Sequence, residues 1–465
     1  MKKGVTIVFI ANMINMFFSV ISSFILPKYL SIESYGYFKV FQLYVNYLGI
    51  AHLGFVDGIY LKYGGKEIRK LDFNEIVSSA ATIRNLQIII TIIALFVGII
   101  INNPLAIFLA LSCVPVNMIS FYKNLYQATG EFKDYGAIIS IQPIIIFISN
   151  MLLLFILRTD NYILYILVVI ISNLFLYVLL EYKSKQLFEQ LKIFTFNINL
   201  LIDNIKSGIC LTIGNFASIM ITSIDRWFIQ ILMSMSDFSY YSFAVSVENL
   251  FNVCLSAVTT TLYNYLCRVK EKTEIIKLKS ICLVIGIYLV AIAFPVKFII
   301  DYWLKKYVES ISCLFLLICA HSYYFVIKAI YINLYKARGQ QKHYFYQMLI
   351  ILVIATGTNM FGYLFIAKIK EIFACMSLLT AIIWFFICYF EFKDIKGNGK
   401  EILLMLLSTV IFLFSGLFIT NSIIGCFFYL FIISLLFWLI DRSLLMSTYK
   451  IAVDFISKNL RIKRN

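Results

Sequence analysis

The chain has 465 residues, of which 62% are hydrophobic and 14% are charged, and its formal net charge is +16. A soluble globular domain is about 45–50% apolar and about 25% charged, so this composition excludes a soluble enzyme, a nucleic-acid-binding module and a disordered chain. The ten cysteines form no C-x-x-C pair, so no zinc or redox motif is indicated. A mean hydropathy of +0.90 instead predicts a polytopic membrane protein.

Fourteen apolar segments are each long enough to cross a membrane. A span needs about 20 largely apolar residues, and it must be helical because backbone groups in lipid have to be satisfied within the segment. We therefore predict an all-α polytopic protein with about 14 transmembrane helices. The predicted spans are 4–26, 38–61, 76–101, 104–128, 136–157, 161–180, 206–232, 238–266, 279–300, 311–335, 344–367, 371–390, 402–420 and 423–440.

The first segment follows Lys2 and Lys3, as a secretory signal would. Its 23 residues exceed the apolar region of such signals, so we expect a retained first helix. With the N-terminus cytoplasmic, 29 of the 40 basic residues fall on inner segments and eight on outer segments. The positive-inside rule then predicts that both termini are cytoplasmic. Three cations are left within the predicted helices: Arg84, Arg226 and Lys328.

The segments outside the helices are short on the outer face and basic on the inner face. The longest outer segment, around 27–37, has only about a dozen residues, which argues against a glycan polymerase or glycosyltransferase that works on that face. Residues 182–205 predict an interfacial linker between two lobes. The tail, 441–465, alternates apolar and basic residues, as expected of a helix held at the inner surface by anionic lipid.

The two halves of the chain carry an internal repeat. Residues 124–135 match 333–344 at an offset of 209, with seven of twelve positions identical, and 31–37 parallels 234–240 at an offset of 203. Six helices separate the equivalents, and this even number predicts parallel repeats related by an axis along the membrane normal. Duplicated halves are typical of secondary transporters, which bind substrate between the repeats.

Several short motifs give the chain a family resemblance. It resembles the bacterial polysaccharide flippases, in the superfamily that also holds the multidrug and toxic compound extrusion transporters and the lipid II flippase. The residues that carry the resemblance are Leu26-Pro27-Lys28-Tyr29-Leu30, Ser34-Tyr35-Gly36-Tyr37, Leu53-Gly54-Phe55-Val56-Asp57-Gly58-Ile59, Lys62-Tyr63-Gly64-Gly65, Tyr126-Gln127-Ala128-Thr129-Gly130 and Ser223-Ile224-Asp225-Arg226-Trp227.

This resemblance implies two six-helix lobes around a central cavity, related by a pseudo-two-fold axis, with two further helices appended. The lobes would be 1–181 and 206–392, followed by helices 13 and 14 in 393–440. It also implies a place in the bacterial cytoplasmic membrane and an undecaprenyl-diphosphate-linked oligosaccharide, such as an O-antigen or capsule repeat unit, as cargo. The expected partners are membrane lipids and a glycan polymerase with its chain-length protein; no nucleic acid is expected.

Cations within a membrane are costly and are therefore candidates for substrate binding. The guanidinium of Arg226 could hold a diphosphate bidentately, or it could be neutralised by Asp225 or another carboxylate and serve packing. Arg84 could receive the diphosphate from the cytoplasmic side, or extend to the inner headgroups. Lys328 is a third candidate.

Carboxylates and amides within the helices complete the candidate site. Glu248 could take H⁺ or Na⁺ as a coupling ion, or pair with Arg226 in a gate. Asp225 and Asp57 are candidates for the same coupling or gating role. Asp57 could instead cap a helix turn. We expect His52 and His321 to serve packing. No metal ligands or catalytic residues are expected. Four amides are placed near the cavity by the resemblance, and could equally join helices: Asn12, Asn15, Asn46 and Asn215.

The leading hypothesis is thus a flippase that works by alternating access. The alternative within the same superfamily is an ion-coupled multidrug or cation antiporter, which should depend on a buried carboxylate and tolerate few cations in its cavity. A membrane glycan polymerase or glycosyltransferase is the less favoured alternative, because it leaves the internal repeat unexplained.

Overall fold

The computed structural model describes residues 2–188, 196–269, 271–396, 399–442, 444 and 446. In these residues the chain is helical, with short connections and no β-strand. It forms two compact units, Met1–Ser223 and Ile224–Asn465. Polar side chains start several of the helices, since Asp72, Asn103 and Asn421 accept hydrogen bonds from the free N–H groups of the first turn.

The first unit contains eight helices within the described residues. They are α1 (Lys2–Tyr29), α2 (Ile32–Val45), α3 (Phe55–Tyr63), α4 (Phe73–Ile100), α5 (Pro104–Thr129), α6 (Phe132–Phe155), α7 (Tyr162–Phe188) and α8 (Ile198–Ile221). Short 3₁₀ turns at Leu48–His52 and Ile68–Lys70 flank α3.

The second unit contains ten helices in the part of the chain that the structure describes. They are α9 (Ile224–Leu232), α10 (Met235–Leu266), α11 (Lys272–Leu289), α12 (Ala293–Tyr302), α13 (Ile311–Val326), α14 (Ile332–Ala337), α15 (Gln341–Phe361), α16 (Lys370–Glu391), α17 (Gly399–Leu417) and α18 (Ser422–Ile440). A π-helical turn, Ile327–Tyr331, joins α13 to α14 without a break.

The helices confirm the predicted fold class, an all-α multi-pass membrane protein. Among the described residues, eleven helical segments are long and apolar enough to span a membrane, and α8 with α9 makes a twelfth if the pair counts as one broken span. The two other predicted spans correspond to α10 and to the interrupted segment that contains α2 and α3.

The predicted second span, 38–61, is interrupted rather than continuous. Between α2 and α3 the backbone of Leu53 (φ 53°) and Gly54 (φ 98°) is left-handed, a conformation that cannot continue a right-handed helix. The imidazole Nδ1 of His52 accepts a hydrogen bond from the Gly54 N–H at 3.2 Å. His52 thus stabilises the break, in addition to packing.

Three glycines let α3 cross α8 at very short range. A Cβ on Gly208 of α8 would lie 2.1 Å from the carbonyl oxygen of Gly54 and 2.3 Å from the amide nitrogen of Gly58. Close backbone approach of this kind is how small residues pack membrane helices. Beside it, the Thr212 hydroxyl of α8 donates a hydrogen bond to the Asp57 carboxylate of α3.

The structure describes only part of the predicted linker between the lobes. Helix α7 extends to Phe188 and α8 begins at Ile198, so most of the predicted linker 182–205 is helical or lies in 189–195, outside the described residues. Helix α8, which the resemblance assigns to the second lobe, belongs to the first compact unit. The predicted tail, 441–465, falls almost wholly outside the described residues.

The internal repeat is visible as matching local structure. The N–H groups of Glu131 and Gln340, 209 residues apart, donate to the carbonyls of Tyr126 and Tyr335, each at 2.9 Å. These bonds close the same type of helix end. In both cases a left-handed glycine, Gly130 or Gly339, directly precedes the donor residue. At the offset of 203, Ser31 and Ser234 make the same helix cap. The Ser31 hydroxyl accepts from the Ser34 N–H, and the Ser234 hydroxyl accepts from the Asp237 N–H.

The prediction that only three cations lie within helices is wrong. Lys279 of α11 and Lys297 of α12 are also buried, because each meets a partner that is far away in the sequence. The ammonium of Lys279 pairs with Glu401 at 2.8 Å. That of Lys297 donates to the carbonyls of Gly416 and Ile419 at the end of α17.

Helices α17 and α18 pack into the second unit through aromatic rings. Phe294 contacts Phe315, Phe412 and Tyr429 with ring centroids 5.3–6.0 Å apart, an arrangement that favours edge-to-face contact. Outside the spans, the Arg338 guanidinium donates to the Asp394 carboxylate at 2.6 Å, and this hydrogen bond lowers the pKa of Asp394. It ties the turn before α17 to the end of α14.

Candidate functional site

Asp225 lies in the first turn of α9, directly after the interruption that ends α8. Its side chain is buried, and three donors satisfy its carboxylate. Oδ2 accepts from the Tyr241 hydroxyl at 2.5 Å and the Ser377 hydroxyl at 3.0 Å, and Oδ1 accepts from the Arg226 backbone N–H at 2.7 Å. Asp225 therefore joins α9 to α10 and α16.

The guanidinium of the next residue, Arg226, does not join helices through hydrogen bonds as the Asp225 carboxylate does. It forms no ion pair with a described residue, and its buried Nε has no hydrogen-bond partner among them. Asp225 attracts it electrostatically, but the Asp225 oxygens bond to other donors. The proposed neutralisation of Arg226 by a direct carboxylate pair is thus absent from the described part of the chain, and its donors remain available for an anion.

Glu248 and Lys328 lie in the same unit as Asp225. A carboxylate oxygen of Glu248 on α10 is 3.1 Å from Nε2 of His321 on α13, so His321 lies within ion-pair distance of Glu248 and is more than a packing residue. Glu248 also interacts electrostatically with Asp225 and Lys328.

Lys328 is presented by the π-helical turn between α13 and α14. Its ammonium donates to the Asn252 side-chain oxygen at 3.0 Å and lies 5.3 Å from the centre of the Tyr324 ring. Single π turns are common at functional sites, because the extra residue changes where the following side chains point. We call Asp225, Arg226, Glu248, His321 and Lys328 the polar cluster.

The polar cluster combines both signs of charge within one unit. Its carboxylates can hold a proton or a monovalent cation, while Arg226 can hold an anion. The described residues contain no group of three or more His, Cys, Asp or Glu side chains placed to hold a metal ion.

The other predicted site residues belong to the first unit. Arg84 on α4 pairs with Glu181 on α7 at 3.2 Å, with both side chains largely buried, and Asp57 accepts from Thr212. The Thr212 contact favours the structural alternative for Asp57, whereas the ion pair of Arg84 with Glu181 is a role that was not predicted. Of the four predicted amides, Asn12, Asn46 and Asn215 are exposed, and Asn15 is partly buried.

Two residues that contact the polar cluster were not predicted as site residues. Tyr241 and Ser377 carry no sequence signal that separates them from other hydroxyl residues in the helices, and they are recognised only by their contact with Asp225. The pairing of His321 with Glu248 joins residues 73 positions apart, and no local pattern connects them.

Comparison with known proteins identifies the fold. No family model and no curated protein sequence matches the chain. Among solved structures, the lipid II flippase MurJ in its inward closed conformation has a TM-score of 0.70 at 14% identity, covering 96% of this chain and 100% of that chain.

Two further structures share the fold. An inward-facing multidrug resistance MATE family transporter has a TM-score of 0.57 at 12% identity, over 82% of this chain and 95% of its own. A MOP superfamily transporter from Pyrococcus furiosus has a TM-score of 0.52 at 13% identity, over 85% and 97%. The chain thus has the fold of MOP superfamily proteins.

Proposed function

We propose that this protein is a flippase that moves an undecaprenyl-diphosphate-linked oligosaccharide from the inner to the outer leaflet of the bacterial cytoplasmic membrane. The observation that carries the proposal is the Arg226 guanidinium, which lies in a membrane helix with no ion-pair partner among the described residues. The fold that it shares with a lipid II flippase adds support.

The chemistry of Arg226 suits a diphosphate cargo. A guanidinium presents a planar set of donors that matches two phosphate oxygens at once. A cation in lipid without a counter-ion is costly, and an anionic cargo would relieve that cost only while it is bound. Lys328, which is held by a neutral amide rather than a carboxylate, would add a second positive charge.

The antiporter alternative is supported by the buried carboxylates of Asp225 and Glu248. Both are already engaged, Asp225 by three donors and Glu248 by His321, so a cationic drug would have to displace these partners. We therefore assign them a coupling role within the flippase. The membrane orientation is part of the same proposal, with both termini cytoplasmic, and so are a glycan polymerase and its chain-length protein as partners.

The Arg226 assignment is tested by export in cells. Depleting the protein should leave the lipid-linked glycan in the inner leaflet, and Arg226→Ala should lower export by about tenfold to a hundredfold, the range expected for loss of a hydrogen bond to a charged group. Surface glycan and leaflet-specific accessibility of the lipid-linked precursor are measured.

The matched control is Arg268→Ala, which removes an exposed arginine from the same unit. Arg226→Lys keeps the charge but loses the bidentate geometry. Its export should lie between that of Arg226→Ala and that of Arg268→Ala. Wild-type export by Arg226→Ala, at equal protein abundance, would remove its diphosphate role. Unchanged export after depletion would exclude the flippase itself.

The coupling ion is proposed to be H⁺ or Na⁺, bound at Asp225 or Glu248. Asp225→Asn keeps the shape of the side chain and removes its charge, so transport in proteoliposomes should become at least about tenfold less responsive to an imposed pH or Na⁺ gradient. Glu248→Gln is tested in parallel to locate the group. Unchanged gradient dependence in both variants would contradict the proposal.

A further inference from the structure

The first unit encloses a polar cavity that contains none of the charged site residues predicted from the sequence, although the predicted amide Asn15 is part of its lining. Its volume is about 480 Å³, within the range of small-molecule sites, and side chains of α1, α2, α5, α6 and α7 line it. The lining residues used below are Lys39, Gln42, Lys123, Gln142, Asn150 and Asn173.

The charge of the lining is positive. It includes two lysines and no carboxylate. The Lys39 ammonium donates to the Gln42 side-chain oxygen at 2.9 Å. Lys123, within the membrane-spanning helix α5, forms no ion pair or hydrogen bond with another described residue. A partly buried ammonium in this setting lacks the anion that would offset its loss of water.

Asn150 on α6 provides a second, independent indication of a missing ligand. Its side chain is 1% exposed, and neither its amide nitrogen nor its oxygen has a hydrogen-bond partner among the described residues. Buried amides are normally satisfied. Its counterpart in the repeat, Asn359, lies 209 residues later; its amide nitrogen donates to the Ala355 carbonyl of its own helix at 2.8 Å, and only its oxygen lacks a partner among the described residues.

The repeat also shows that the cavity occupies a distinctive position. At the offset of 203, Ser22 and Ser23, which line the cavity, correspond to Asp225 and Arg226 of the polar cluster. In the second unit, hydroxyl groups of neighbouring helices satisfy the Asp225 carboxylate. The first unit has no acid at this position.

We propose that the cavity binds a phosphate ester. The ammonium groups of Lys39 and Lys123 would supply the charge, and the Asn150 amide would donate a hydrogen bond to a phosphate oxygen. The Gln142 amide already donates to Asn173 at 2.6 Å, so that pair forms a fixed polar wall. The ligand comes either from a polyprenyl diphosphate carrier or from an acidic phospholipid. This inference uses only the first unit and does not depend on the role of Arg226.

The test measures lipid binding to the purified full-length protein in detergent by native mass spectrometry. The probes are undecaprenyl diphosphate, phosphatidylglycerol and the uncharged undecaprenol. We expect at least one phosphate-bearing probe to bind, and Lys123→Met to weaken it by about tenfold or more. Lys133→Met, which removes an exposed lysine ten residues away, is the matched control.

Asn150→Asp provides a second variant in case Lys123→Met does not fold. It has nearly the same shape but places a negative charge in the cavity, so it should weaken the same probe by at least tenfold. Equal binding of undecaprenol and the phosphate-bearing lipids would overturn the proposal, as would wild-type affinity in both variants.

The probes also separate this proposal from the flippase proposal. Binding of undecaprenyl diphosphate that depends on Lys123 would support a cavity that handles cargo. Lys123-dependent binding of phosphatidylglycerol alone would support a site for a structural lipid, while leaving the flippase to the Arg226 export test. Absence of binding by both phosphate-bearing lipids in the wild-type protein would exclude the cavity proposal alone.

Discussion

Gly208→Ala is expected to prevent α3 and α8 from packing and to reduce the yield of folded protein sharply. The added Cβ would lie 2.1 Å from the Gly54 carbonyl oxygen and 2.3 Å from the Gly58 nitrogen. Both are backbone atoms, so one helix must move away from the other. Overpacking typically costs about 1–3 kcal/mol and more where the backbone has to shift. Size-exclusion chromatography and the thermal midpoint of the detergent-extracted protein measure the effect.

The matched control for this prediction is Gly49→Ala, in the 3₁₀ turn before α3. A Cβ on Gly49 meets no atom within 4 Å, so this substitution should leave the yield and the thermal midpoint close to those of the wild type. If Gly208→Ala behaves like Gly49→Ala, the two helices do not cross as closely as the structure describes.

The crossing of α3 and α8 matters for function because it includes a predicted coupling residue and directly precedes the helix of Asp225 and Arg226. It includes Asp57, whose carboxylate accepts the Thr212 hydrogen bond, and the chain continues from α8 into the helix that carries Asp225 and Arg226. A predicted coupling residue thus has a structural task at a helix crossing, whereas Asp225 lies among hydroxyl donors in the other unit.

The sequence was most informative where the controlling interactions are local. A helix in lipid needs only a continuous apolar segment, and every predicted span coincides with helical structure. The repeat could also be predicted, because Ser31 and Ser234, or Tyr126 and Tyr335, act through hydrogen bonds to residues within one helical turn.

The breaks and the polar contacts could not be predicted in the same way. The left-handed Leu53 and the π turn that carries Lys328 have no local signal in the sequence, since neither residue type favours such backbone. Arg226 was predicted as a site residue, but only the structure shows that the Asp225 oxygens are bonded elsewhere. Lys123 was counted with the basic residues of the inner segments, although it lies at the end of the predicted span 104–128, and its cavity is formed by five helices that are separate in the sequence.

Substitution of Lys279 should strongly lower the stability of the protein. The sequence analysis did not count Lys279 among the cations within helices, but the structure shows it buried. Its side chain is 1% exposed, pairs with Glu401 at 2.8 Å and donates to the Ile395 carbonyl at 3.0 Å. Lys279→Met would leave the Glu401 carboxylate buried with Ser280 as a donor. Breaking a buried pair from one side costs about 3–5 kcal/mol, which thermal or denaturant unfolding of the detergent-solubilised protein should detect.

The double variant Lys279→Met/Glu401→Met decides what the charge pair contributes. Because it removes both charges, most of the lost stability should return, as is common when apolar residues replace a whole buried pair. Lys277→Met, at an exposed position on the same helix, should change little. A double variant no more stable than Lys279→Met would mean that Lys279 acts through the Ile395 carbonyl. The loss would then lie in the α16–α17 connection, rather than in an uncompensated Glu401.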